Sequence, residues 1–439
     1  MHETLLNSTG RPALLSGWLK GVRLAGPREG ASPTCFDLLL EQGRLTACRP
    51  AVDAHLGAGR HAVTLWGLPP CVDLSLQPDP RDAGSHEGWP LWAAHGLAGG
   101  MDPSGAGLGG FEAFKLAPLR PLASEVGGAG LRFVARQPEE GSSHLHRRCD
   151  PEALADWDTL RRLLTWAADW DATVWMPLRG PGRAPAGHDG ADDGPWALRQ
   201  GLAGSRREDE ILAVQMALEW GRQTGVRMHV DQISTKEAAE SLRQAQRKGQ
   251  PVTASVSIHH LLFTQVDASA AHAAGRMASP LRDAADREAL SLAVQDGVIG
   301  AVVSGHRWPA VTEGSGPRHG VPGAGMLVPG LVKWAEARGF PLDQAWRAIS
   351  AGPAAILDPV GAARGAGCIE ARMGELLDLV LVEEGCWTAI WPADERQAAR
   401  WGLMSHSEWP GRVLGSIHAG RWWPAAERGP APLAATARQ

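Results

Sequence analysis

The sequence predicts an α/β protein, a (β/α)8 TIM-like barrel carrying a small β-sandwich domain built from both chain ends. From Pro70 onward, short apolar runs (Thr173–Met176, Val226–Val230, Val252–Val256, Ile299–Val303) alternate with amphipathic segments (Glu152–Ala168, Asp209–Gln223, Lys236–Lys248, Asp283–Val294). Alternation sustained over that length calls for parallel strands under covering helices, and the number of units suits a closed barrel better than an open sheet. Before it lie short apolar stretches (Leu14–Leu19, Cys35–Leu40, His61–Leu65) cut by Gly, Pro and Asp, a texture of small strands and turns that returns in GELLDLVLVEEGCWTAIWP from Gly374. The boundaries expected are 1–66 and 370–430 for the small β domain and 67–369 for the barrel.

Composition narrows the function. A chain of 439 residues that is 44% hydrophobic buries a large core and exceeds one compact domain. A net charge of −5 with no basic run leaves no footprint for nucleic acid or an anionic membrane. The N-terminus lacks a charged head followed by an apolar core, and no segment reaches the roughly 18 apolar residues of a membrane span, so a cytoplasmic protein is expected. Cys35, Cys48, Cys71, Cys149, Cys368 and Cys386 form no Cys-x-x-Cys pair, which indicates neither a disulfide framework nor a zinc knuckle. The Gly/Pro/Asp-rich stretch Gly180–Gly194 reads as a surface loop.

Several segments carry chemistry-bearing motifs in order. They are VRMHVDQISTKEAAESLRQAQRKGQPVTASVSIHHLLFT from Val226, SPLR at Ser279–Arg282, GVIGAVVSGHRWP from Gly297, ISAGPAAIL at Ile349–Leu357, and Gly374–Leu381. Together they resemble the dihydroorotase branch of the amidohydrolase superfamily: its His-Val-Ser-Thr strand end, its His-His-Leu signature, its Asn-Pro-Pro-Leu-Arg, its Thr-Asp-His strand end, and its closing Asn-Pro-Ala helix and Ala-Asp-Leu strand. The resemblance covers about residues 60–420. It implies zinc-assisted, reversible closure of carbamoyl-aspartate to dihydroorotate, which needs imidazoles and carboxylates converging at the strand ends.

Those groups are missing where the resemblance would put them. Ser75 and Gln77 stand at the two His positions of the first strand, and Asp79 stands at the substrate-binding Arg, where it would repel a dicarboxylate. Gln232 replaces the His of His-Val-Ser-Thr, Ala278 the substrate-binding Asn, Gly305 the catalytic Asp, and Pro309 the last His of its motif. The WMPLRG stretch from Trp175 holds no His or carboxylate, and Asp150 is the only possible surviving ligand. The metal expected is therefore none, and so is the cofactor. The motif residues that remain are Ser234, Thr235, His259, His260, Pro280, Leu281, Arg282 and His306, read as structural.

Other candidates weigh toward plain structure. His229, three residues before Gln232, falls on the opposite face of a regular strand. His259 and His260 are adjacent on a strand and cannot share a coordination sphere. His144 and His146 form the only His-x-His, but in a Ser/Arg-rich stretch read as a solvated loop. The Gly-rich stretches Gly96–Gly110 and Gly314–Gly325 lack the context of a phosphate cradle, and the charges of RREDE from Arg206 read as a solvated helix start.

The expectation is a catalytically inactive dihydroorotase homologue. By the resemblance it serves as a structural subunit beside the aspartate transcarbamoylase catalytic chain in pyrimidine biosynthesis, in a homo- or hetero-oligomer. The alternatives are an active zinc-dependent cyclic amidohydrolase with a rearranged site, and a small-molecule sensor that uses the vacated barrel mouth.

Overall fold

A computed structural model describes residues 14–24, 35–51, 64–77, 97–102, 115–118, 146–148, 157–176, 178, 190–268, 276–307, 323–357, 373–390, 403, 405 and 407–424. The chain opens with the antiparallel strands β1 (Gly17–Leu24), β2 (Cys35–Glu41) and β3 (Arg44–Pro50). Strands β2 and β3 are joined by Gln42 and Gly43 with φ of 49° and 78°, the paired positive angles that a tight two-residue hairpin requires. Strand β4 (Thr64–Leu68) then lies parallel to β1.

The α/β part follows. Strand β5 (Cys71–Asp73) leads into β6 (Leu76–Gln77), and β5 pairs with β7 (Leu97–Asp102), which pairs with β8 (Lys115–Pro118). A second run joins β9 (His146–Arg148), β10 (Thr173–Met176), β13 (Arg227–Val230), β14 (Val252–Ser257) and β15 (Ala301–Val303). Between β10 and β13 sits a small parallel pair, β11 (Ala191–Asp192) and β12 (Gly204–Ser205). Strand β16 (His306–Arg307), just beyond β15, pairs in parallel with β6 and so links the two runs. Among the described residues these strands form three all-parallel sheets, β15-β14-β13-β10-β9, β16-β6 and β5-β7-β8.

Alternation along the strands sorts the core. Val174 and Met176, Met228 and Val230, and Ala254 and Val256 pack against Leu164, Val214 and Leu242 of the helices Trp157–Asp169, Arg207–Thr224 and Lys236–Arg247. The intervening residues Trp175, His229 and Thr253 stand in register on the other face. Thr235 caps the helix Lys236–Arg247 by accepting from the Ala238 amide at 3.3 Å, and Asp283 caps Ala284–Gln295 through the Asp286 amide at 3.0 Å. These caps fix where strand ends turn into helices.

The chain returns to the first sheet through β17 (Leu379–Ile390), β18 (Ser407–His418) and β19 (Arg421–Pro424), giving seven strands in the order β19-β18-β17-β4-β1-β2-β3. The sheet curls until its ends meet. Leu14 bridges to Arg421, and the amide of Leu15 donates to the Gly420 carbonyl at 2.9 Å. A Cβ on Gly43 would fall 2.7 Å from the Gly420 Cα, so this closure depends on two glycines. Inside lie Val22, Leu24, Leu38, Leu40, Leu379 and Ile417. The small β unit is thus one curled sheet among the described residues, where two packed sheets were expected. Strand β4 keeps Gly67 and Leu68 in it, so a boundary between 66 and 67 cuts a strand. Its outer face meets the helices at Trp409, with Lys333 over the indole at 3.9 Å.

Candidate functional site

Catalytic groups on parallel α/β strands sit at the C-terminal strand ends. There the structure brings Ser75, Gln232 and Gly305 together. Gln232 lies past the end of β13 with φ of 53°, a left-handed conformation uncommon for a non-glycine residue. Its Nε2 donates to Ser75 Oγ at 2.7 Å and to Asp231 Oδ2 at 3.3 Å, and its backbone N–H donates to Ser255 Oγ at 2.9 Å. Ser255 Oγ in turn donates to Asp231 Oδ1 at 2.5 Å. Gly305 also has a left-handed backbone, with φ of 61°.

Asp73 anchors the first strand end. Its Oδ1 accepts the amides of Ser75 and Ser304, both at 3.1 Å. Burial raises its pKa. Asp231 is pushed up to about 6 by burial, the charge of Asp73 adding to the effect while the hydrogen bonds from Ser255 and Gln232 oppose it. Of the described groups here, Asp231 is the one placed to exchange a proton near neutral pH.

Three buried histidines border this cluster. Burial lowers His259 to about 3, with the charges of His260 and His306 adding, and lowers His260 and His306 to about 4 each. His259 and His260 belong to the short helix Ile258–Leu262, where a strand was expected. His259 Nδ1 lies 3.0 Å from Ser257 Oγ, and His260 Nε2 lies 3.1 Å from the carbonyls of both Ser279 and Pro280. His306 Nδ1 accepts the Gly323 amide at 3.1 Å.

His229 departs from expectation. Its ring packs on Trp175 at 4.1 Å between centroids and reaches Thr253 Oγ1 at 2.9 Å. Ser255, two residues past Thr253 and on the same strand face, is the contact of Gln232 and Asp231. His229 therefore sits a layer below the cluster rather than on the opposite face, because Gln232 leaves the strand by its left-handed turn and alternation fails there.

Beside the cluster is a plate of buried charge. Glu210, in the first turn of its helix, accepts the amides of Ser234 at 2.7 Å and Thr235 at 2.9 Å, and both their hydroxyls. Arg282 donates to Ser234 Oγ at 3.1 Å, to Asp192, and to the Ser205 carbonyl at 2.9 Å, and lies 3.7 Å from Glu210. Asp286 accepts Arg207 at 2.7 and 2.5 Å and the Lys236 amide at 2.9 Å. The plate ties the starts of three helices to the β11–β12 pair. It corrects two expectations: Arg207 and Glu210 are not a solvated helix start, and the 180–194 loop ends in buried structure at Ala191. Pro280 and Leu281 are buried within the same segment.

Other predicted positions fall elsewhere. Ala278 is exposed, Gln77 is placed through its backbone pairing with Arg307, and Asp79, Asp150 and Pro309 lie outside the described residues, as does His144. His146 begins β9, so residues 146–148 are strand where a solvated loop was expected. The sequence reading missed Asp73, Asp231 and Ser255, although Asp231 is only two residues beyond His229. It also missed Glu210 and Asp192, although a buried Arg282 demands carboxylate partners.

Zinc is the metal implied by the resemblance, and this donor set does not suit it. Ser75 offers a neutral hydroxyl that already accepts from Gln232 Nε2, Gln232 a neutral amide oxygen and Gly305 no side chain, and the described residues contain no group of three His, Cys, Asp or Glu side chains placed to hold a metal ion.

The chain is similar in fold and in part of its sequence to known proteins. A dihydropyrimidinase from Brevibacillus agri superposes with a TM-score of 0.67 at 16% identity, covering 93% of this chain and 95% of that one. A D-hydantoinase from a Bacillus species gives 0.67 at 17%, covering 92% and 94%. The chain shares the α/β fold of these two structures. In sequence it is 32% identical over 278 residues to a dihydroorotase-like protein of Pseudomonas aeruginosa, covering 61% of this chain and 62% of that one. It is 34% identical over 159 residues to a dihydroorotase of Mycobacterium leprae, covering 33% and 37%. The chain thus matches less than two thirds of the length of these relatives. No family model matches it. No described helix is long and apolar enough to cross a membrane.

Proposed function

We propose that this chain is a catalytically inactive dihydroorotase homologue that acts as a structural subunit, assembling with the aspartate transcarbamoylase catalytic chain. The observation that carries the proposal is the 2.7 Å hydrogen bond from Gln232 to Ser75 beside Gly305. Two positions where the chemistry needs imidazole are tied to each other as amide and hydroxyl, and the position of the proton-transfer carboxylate is glycine. A neutral pair of this kind neither ionises nor activates a metal-bound water near neutral pH. The transcarbamoylase partner rests on the family resemblance alone. In the same reading the parallel strands close as an eight-stranded barrel, and the curled sheet is a separate domain that shields one side of it.

Co-expression with the transcarbamoylase of the same genome tests the proposal. One large complex is expected to elute together, with transcarbamoylase activity impaired when this chain is withheld. Separate elution in gentle salt with full transcarbamoylase activity contradicts it.

Asp231 favours a second reading, a cyclic amidohydrolase with a rearranged site, because a carboxyl with a pKa pushed to about 6 suits a general acid or base. That reading requires turnover of dihydroorotate or a hydantoin that Asp231→Asn abolishes.

A further inference from the structure

The side chain missing at position 305 leaves a space that other groups occupy. A Cβ built on Gly305 would lie 2.8 Å from Gln232 Oε1, 2.9 Å from Ser257 Oγ and 3.2 Å from Met277 Cε. The Gln232 carboxamide cannot simply swing aside. Its Nε2 is held by Ser75 across the strand ends and by Asp231 next door, while its backbone is held by Ser255 in a left-handed turn. Ser257 is equally committed, with its hydroxyl 3.0 Å from His259 Nδ1.

We infer that Gln232 is a built-in plug: its carboxamide occupies the space a side chain at position 305 would fill, and so holds the strand ends in a closed, self-bonded state. This rests on the reading of the site as inactive and deepens it. Glycine at 305 and glutamine at 232 then form one unit, and a side chain at 305 calls for a change at 232. A carboxylate cannot be restored at 305 while the carboxamide stays in place. Removing the carboxamide exposes a small polar space bounded by Ser75 Oγ, Asp231 Oδ2 and Ser257 Oγ.

A double-mutant cycle on the full chain, read as melting temperature, tests the plug. Gly305→Ala carries both the left-handed backbone penalty and the clash with Gln232, whereas in a Gln232→Ala background only the backbone penalty and the Ser257 contact remain. The drop caused by Gly305→Ala is expected to shrink by at least half in that background. Equal drops in both backgrounds overturn the inference. If Gly305→Ala alone yields no folded protein, folded Gln232→Ala/Gly305→Ala supports the plug, and an equally unfolded pair overturns it. A dihydroorotate assay on the unmodified chain separates the two levels. Turnover there defeats the inactive reading whatever the cycle shows, while additivity without turnover defeats the plug alone.

Discussion

Gln232 and Ser234 are two residues apart, yet they belong to regions built on opposite principles. Around Gln232 the strand ends carry a chain of hydroxyl and amide groups with two carboxyls whose pKa values burial has raised. Around Ser234, Glu210 and Asp286 each meet a guanidinium and backbone amides, while Asp192, raised by burial, faces Arg282. The first region has the raised carboxyl pKa values of a reactive site without a partner set suited to metal chemistry. The second has a complete partner set and no free valence. Of the motif residues read as retained, Ser234, Thr235 and Arg282 lie in the second region and His259, His260 and His306 border the first, which holds Ser75, Gln232 and Gly305, the positions read as replaced.

The largest effect that can break this comparison is loss of Arg282. Arg282→Ala strands Glu210 and Asp192 as buried, unpaired carboxylates and is expected to cost about 3–5 kcal/mol of stability. Adding Glu210→Gln should recover part of the loss. Denaturant unfolding measures both, and a cost below about 1 kcal/mol would make the plate an ordinary surface network.

Acidification comes next. His259, His260 and His306 have folded pKa values of about 3, 4 and 4, below the unfolded value near 6.5. Their stabilising contribution is complete above pH 6.5 and is lost as pH falls toward 4, because the unfolded chain binds protons that the folded chain refuses. The summed loss over that window is on the order of several kcal/mol. His306→Gln should flatten the acid limb of the stability curve, and an unchanged limb would contradict the assignment.

Asp231 titrates with the opposite sign. Its raised pKa makes its contribution complete below the unfolded value near 4 and lost as pH rises through about 6. Asp231→Asn is therefore expected to gain stability over the unmodified chain, by about 2–3 kcal/mol at pH 8, an advantage that shrinks as pH falls and vanishes below about pH 4. A constant difference across that range would remove the claim that burial raises the Asp231 carboxyl.

The smallest effect is conformational. Gln232→Gly and Gln232→Ala both lose the carboxamide hydrogen bonds, but glycine relieves the left-handed backbone and should be the more stable by about 1 kcal/mol. Equal stabilities would mean that the turn is unstrained.

Much of the architecture was legible in the sequence because the strands Thr173–Met176 and Val252–Ser257 and the helices Arg207–Thr224 and Lys236–Arg247 have one apolar face each, and periodicity reports faces. Motif spacing put Ser75, Gln232 and Gly305 at strand ends, and the structure brings them together there. What periodicity does not report is where charge goes. Glu210 and Arg207 look like any acidic and basic pair at a helix start, and only the three-dimensional meeting of three helix starts with Arg282 buries them. The placement of His229 was misjudged for a related reason, since alternation holds within a strand and Gln232 lies beyond its end. The curling of the small sheet depends on Gly43 and Gly420 touching, a contact between positions far apart in the chain.

The most direct measurement is turnover of dihydroorotate by the purified chain supplied with zinc. The account predicts no hydrolysis above the rate without protein. Hydrolysis that a chelator stops and Asp231→Asn abolishes would contradict it.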